Sequence, residues 1–175
     1  MIDSKFDDKQ RFILKEFFKS IFLRPYNAAF CGSLRNITNM KFFGFKSAHL
    51  AKGYDTVSLD RIRNQAGVLP APKGPSFQER HFTAISRLIP KKNLFMMLTA
   101  YSLYANSVAI PRHLHICGSG VDEDQLRSHA AALGIANFVI FRGWLQDSEI
   151  SNTLGTSVAL LLTSVEEQFG IAVIE

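Results

Sequence analysis

The sequence predicts an α/β chain built on a parallel sheet with helices on both faces. Three observations carry this. The chain has 175 residues, 47% hydrophobic and 20% charged, with aromatics spread along it, which is the composition of a globular protein with a sizeable core. Beyond residue 80, short apolar runs that fit strands alternate with longer stretches of helical period. Strands separated in this way by helices must return through right-handed crossovers, so they lie parallel in one sheet.

The elements follow in order. Phe12, Ile13, Phe17, Phe18, Ile21 and Phe22 recur near helical spacing with Lys15, Lys19 and Arg24 between them, so residues 5–24 read as an amphipathic helix ended by Pro25. Tyr26 to Gly32 reads as a short buried strand, Leu34 to Phe43 as a helix stopped by Gly44, and Ala48 to Tyr54 as a second strand. Ser58 is placed to cap a helix that opens Leu59-Asp60-Arg61. Gly67 to Pro75 carries three prolines and two glycines, which neither regular structure sustains, and reads as a linker or exposed loop.

The second half alternates cleanly. Arg80 to Leu88, Leu114 to Cys117, Phe138 to Phe141 and Val158 to Leu162 are strands; Leu94 to Ala105, Asp122 to Leu133 and Ser148 to Leu154 are the helices between them. This is a Rossmann-like layer. Ligands of such sheets bind beyond the carboxyl ends of the strands, so the loops at residues 86–92, 118–120, 143–144 and 163–170 are expected to cluster.

Composition also excludes. No segment reaches the roughly 18 uninterrupted apolar residues of a membrane span, and the start Met1-Ile2-Asp3-Ser4 lacks a secretory apolar core, so a cytoplasmic chain is expected. The net charge of +5 is modest and dispersed except in the first helix, with no nucleic-acid motif, so no nucleic-acid partner is expected. That helix could rest peripherally on an anionic membrane face, although packing on a neighbouring domain is the commoner fate of such a surface. Cys31 and Cys117 lie outside any paired spacing and read as reduced core thiols, and no metal or other cofactor is expected.

The last nine residues, Glu167 to Glu175, hold two carboxylates around Phe169-Gly170 just after an apolar strand. A strand, a loop and a helix start in that order suit a nucleotide-sugar ligand, because free N–H groups can face phosphate while carboxylates hold sugar hydroxyls. The two-glutamate spacing resembles the signature of retaining family-four glycosyltransferases of the GT-B fold. Arg87-Leu88-Ile89-Pro90-Lys91-Lys92 is similar to the Arg-Leu-x-x-x-Lys segment that opens their donor domain. Gly118-Ser119-Gly120 and the Arg142-Gly143-Trp144 step stand where that family has its glycine loop and its strand-glycine step. Gly53 to Asp60 is similar to a segment that some members carry before the interdomain linker, with Ser58 in place of an aspartate.

The resemblance implies a hexosyl transfer from a nucleotide-diphosphate sugar to an unidentified hydroxyl acceptor, in polysaccharide or glycolipid assembly. It implies that Glu167, the candidate catalytic residue, approaches the transferred sugar. Arg87, Lys92, Gly118, Gly143, Phe169, Gly170 and Glu175 are the candidate donor-binding residues. Arg87 and Lys92 suit this chemistry, since a departing diphosphate needs cations or backbone amides, and Glu175 could accept bonds from two ribose hydroxyls. The resemblance further implies residues 1–66 as the remnant of an acceptor-side domain, 67–79 as linker and 80–175 as a partial donor domain. The chain is thus expected to be truncated at both ends and inactive alone. A non-catalytic nucleotide-binding or interaction fragment is the alternative.

Three other patterns carry less. Gly118-Ser119-Gly120 lacks the third glycine of a dinucleotide fingerprint, where Glu123 stands. Asp122-Glu123-Asp124 opens a helix, where acids are favoured by the dipole. His113 and His115 share a strand side but have no further ligand.

Overall fold

The computed structural model describes residues 11–53, 57–69, 73–167 and 170–173, and it divides into two compact units. The first runs to Val57 and the second from Ser58 to Glu167.

In the first unit, helix α1 (Ile13–Leu23) precedes strand β1 (Ala29–Cys31), helix α2 (Leu34–Phe42) and strand β2 (Leu50–Lys52). The two strands pair in parallel, Ala29 opposite Leu50 and Cys31 opposite Lys52. Ser33 caps α2 by accepting the Asn36 N–H, and α2 lies on both strands with Met40 and Cys31 buried. Each expected strand keeps only the three residues that find a partner; Ser47–His49 turns into a 3-10 segment, its histidine Nδ1 3.0 Å from the Asn27 carbonyl oxygen. None of the residues of α1 is buried, although Glu16 joins Arg11 and Lys19 along it.

The second unit begins with α3 (Leu59–Gln65), which Ser58 caps through the Arg61 N–H. Sequence patterning grouped α3 with the preceding residues, whereas its contacts join it to α6 (Asp147–Gly155) in the second unit. The reason is tertiary: Ile62 is buried, Arg61 pairs with Asp147 at 2.6 Å and Asn152 donates to the Ala66 carbonyl. Within the expected linker, Phe77–Glu79 forms a 3-10 turn closed by the Ser76–Glu79 capping box.

Four strands follow: β3 (His81–Ile85), β4 (Leu114–Cys117), β5 (Val139–Gly143) and β6 (Ser157–Leu160), with α4 (Leu94–Ser107) and α5 (Glu123–Ala132) among the connections. All pair in parallel in the order β5-β4-β3-β6. The expected parallel α/β layer is therefore present. Because β4 and β5 build out from one side of β3 and β6 returns to the other, the order reverses between β3 and β6. That reversal is a topological switch point, and the carboxyl ends of the strands beside it are the usual ligand position in open α/β sheets.

The two faces of the sheet differ in chemistry. Ala84, Leu114, Ile116 and Val139 meet Leu94, Leu98 and Tyr101 of α4 and Leu126 and Ala130 of α5 in one continuous core. On the other face, Thr83 is fully buried with its hydroxyl 2.5 Å from Ser157 Oγ, and His81 stacks on His115 with ring centroids 3.7 Å apart. Burial first, and the neighbouring His81 second, lower the His115 pKa to about 4. Burial likewise holds His81 below its ordinary value and pushes the Cys117 thiol up to about 11, so Cys117 is an inert core thiol.

Candidate functional site

Each of the loops at the carboxyl edge is shaped by its own residues. After β3 the chain crosses Ser86 and Arg87 and enters a 3-10 turn, Pro90–Lys92, whose first residue has its torsion preset by the proline ring. Asn93 closes the turn at φ 53, the left-handed conformation that asparagine tolerates better than most residues. Helix α4 starts at once behind it. Lys92 is thereby held in the loop beyond the carboxyl end of β3, beside the switch point.

The opposite wall is the stretch after β6. Thr163 donates its hydroxyl to the Lys92 carbonyl at 3.0 Å, and the Val165 N–H donates to the Lys91 carbonyl at 3.0 Å. Two residues further on, the Glu167 carboxylate receives the Lys92 ammonium at 2.8 and 2.5 Å. The side chains are only 12% and 28% exposed. Residues 163, 165 and 167 thus bring three bonds, from a hydroxyl, a backbone N–H and a carboxylate, to one three-residue turn.

Arg87 lies in the same β3 loop but points elsewhere. It is exposed, and its guanidinium has no hydrogen-bond partner among the described residues. With Ile85, Cys117, Gly118, Trp144 and Leu145 it lines a crevice of about 190 Å³ beyond the ends of β3, β4 and β5. The Ser86 hydroxyl on the same wall is buried without a partner, and Trp144 is 73% exposed.

Gly118 has a reason visible in the backbone. A Cβ there would sit 2.0 Å from the Ser86 carbonyl oxygen, and one on Gly120 2.2 Å from that of Leu88. The absent side chains let the β3 loop lie directly on the β4 loop, with Ser86 N–H on the Cys117 carbonyl and Leu88 N–H on that of Ser119. Gly118 N–H also donates to the Gly143 carbonyl at 2.6 Å, which ties in the β5 loop. The glycines thus set where Arg87 stands.

The structure brings Arg87, Lys92, Gly118, Gly143 and Glu167 to one edge of one sheet. Gly170, at φ 70, groups with the first unit rather than with these loops. Phe169 and Glu175 lie outside the described residues, as do Tyr54 to Thr56 of the segment before the linker. Sequence patterning placed Ser86, Trp144 and Thr163 in the expected loops but gave none of them, nor Asn93, a role of its own; an asparagine directly before a helix was the one local signal available. The strand-sharing His113 and His115 do not pair: His113 is exposed near Phe138, and His115 stacks on His81 of the next strand. No group of three or more metal-ligating side chains occurs among the described residues, and no described helix is long and apolar enough to cross a membrane.

A parallel sheet whose strand order reverses beside a partly buried Lys92–Glu167 pair is a Rossmann-like α/β layer. The chain belongs to the family described as "Glycosyl transferases group 1", whose profile matches residues 71–175. A mannosylfructose-phosphate synthase of Agrobacterium fabrum is 26% identical over 106 residues, covering 57% of this chain and 23% of that protein. Solved structures agree in fold. A variant of S. aureus TarM bound to fondaparinux, α-GlcNAc-glycerol and UDP superposes with TM-score 0.67 at 18% identity, over 98% of this chain and 32% of that one. The lipopolysaccharide outer core galactosyltransferase WaaB superposes with TM-score 0.59 at 21% identity, over 85% and 40%. The chain therefore spans about a quarter of the curated relative and a third to two fifths of these solved chains.

Proposed function

We propose that this chain supplies the donor side of a glycosyltransferase, which moves a hexosyl group from a nucleotide-diphosphate sugar to a hydroxyl acceptor in polysaccharide or glycolipid assembly. The observation that carries the reading is the Lys92–Glu167 pair at the switch point of the sheet. Both kinds of group that such a donor needs meet there. An ammonium can take the charge that grows on the departing diphosphate, and a carboxylate can face the hydroxyls or the anomeric carbon of the transferred sugar.

The neighbouring crevice completes the fit. Its apolar lining, the exposed Trp144 ring and the partnerless Ser86 hydroxyl suit a planar heterocycle with polar edges, such as a nucleobase. Arg87, at the rim, can reach the phosphates that join base to sugar. UDP is the nucleotide in the TarM complex and, with glucose, in a complex of HepE from Anabaena, a fold neighbour with TM-score 0.54. In this reading Glu175 serves the ribose. Peripheral membrane contact through α1 belongs to the same proposal, supported by exposed Phe12, Ile13, Phe17 and Phe22 with Lys15 and Lys19 between them.

Calorimetric titration of the purified chain with UDP and with UMP tests the reading. Tighter binding of UDP is expected, because only the diphosphate reaches from the crevice to Lys92. Equal affinity for the two, or none for either, refutes it.

A further inference from the structure

The Lys92–Glu167 pair depends on two loops that have no reason of their own to meet. Thr163 and Lys92 are 71 positions apart, yet the Thr163 hydroxyl reaches the Lys92 carbonyl at 3.0 Å and the Asn93 carbonyl at 3.4 Å. Those two carbonyls flank the single non-glycine residue at positive φ among the described residues. A peptide unit held there by its neighbours sets the direction in which the Lys92 side chain leaves the turn, because left-handed backbone at a non-glycine position persists only where surrounding contacts over-determine it.

We infer that Thr163 is a positioning residue for Lys92: its hydroxyl clasps the Lys92 and Asn93 carbonyls, fixes the turn, and so aims the ammonium at Glu167. It touches no ligand. Its effect runs through the turn, with the Val165 N–H bond to the Lys91 carbonyl as the second point of the clasp. The geometry stands without any ligand; the consequence for donor affinity rests on the function proposed above.

The test reads Lys92 directly. The chain is treated with an amine-acetylating reagent, and acetylation of Lys92 is followed by peptide mass spectrometry relative to exposed Lys46 in the same molecule. In the wild type the Lys92 side chain is 12% exposed and engaged by both Glu167 oxygens, so it reacts slowly. Thr163→Val keeps the shape and removes the hydroxyl; Lys92 is expected to react about three- to tenfold faster relative to Lys46, the weight of one net hydrogen bond. Thr163→Ser, which keeps the hydroxyl, is expected to restore the slow rate, and UDP affinity is expected to follow the same pattern.

An unchanged Lys92 to Lys46 ratio in folded Thr163→Val overturns the inference, as does a serine variant that behaves like valine. Should the valine variant not fold, Thr163→Ala carries the same outcomes; if neither folds, Thr163 is a residue of the fold and the positioning role fails. Absence of UDP binding in the wild type strikes the proposed function alone, because the Lys92 rate still decides the clasp.

Discussion

The Lys92 ammonium lies 2.5 Å from Glu167 Oε2 and 2.8 Å from Oε1, and so joins the loop after β3 to the stretch after β6 where the strand order reverses. The pair is partly shielded, which places it between an exposed ion pair of small net worth and a buried one whose desolvation offsets its attraction. Its net contribution to stability therefore lies between those two limits.

A double-mutant cycle of Lys92→Met and Glu167→Gln measures that worth. Urea unfolding of the four proteins is expected to give a coupling of about 1–2 kcal/mol, above the range of exposed pairs. A coupling near zero would show that the two groups do not hold each other in solution.

Gly118→Ala is expected to destabilise the chain by about 2–3 kcal/mol, because the added Cβ meets the Ser86 carbonyl oxygen at 2.0 Å and φ at this position is 126°. Thermal unfolding reads the loss. Gly143→Ala meets open space, although its φ of 67° carries strain of its own, so it is expected to cost less.

Acid is expected to unfold this chain in part through His115. Its folded pKa of about 4 lies below the ordinary value of 6.5, with His81, Arg142 and His113 as its charged or titratable neighbours. Between these values the unfolded chain binds a proton that the folded chain refuses, so stability falls as pH drops from 6.5 towards 4. His115→Phe keeps an aromatic partner for His81 and removes the proton; its melting temperature is expected to fall less over that window, by the equivalent of about 1–2 kcal/mol after solvent screening. Identical pH profiles would place the acid sensitivity elsewhere.

Trp144→Ala is expected to weaken UDP binding by about 1–3 kcal/mol through lost base stacking, and to leave pyrophosphate binding unchanged. Competition titration separates the two ligands. Equal losses for both would move the base out of the crevice.

Much of this arrangement was legible in the sequence, for physical reasons that differ by element. Strands β3 to β6 were readable because each is a short, largely apolar run closed by glycine or polar residues, the pattern of a strand in a parallel sheet covered on both faces. Arg87 and Lys92 were singled out by the family resemblance, and Glu167 by that resemblance and by its place just after an apolar strand. Thr163 was not, because a threonine after a strand has many local uses and its partners lie 71 and 70 positions away. The His81–His115 stack was invisible because it depends on the register that sets Thr83 opposite His115. The packing of α3 on α6 was not legible, since nothing local in Leu59 to Gln65 says which neighbour will cover Ile62.

Calorimetric titration of UDP into the wild-type chain and into Lys92→Ala bears most directly on the donor site. Saturable binding by the wild type, weakened about ten- to hundredfold in Lys92→Ala, is expected for a phosphate held by that ammonium. The same affinity in both proteins would remove Lys92, and with it the switch point, from the site.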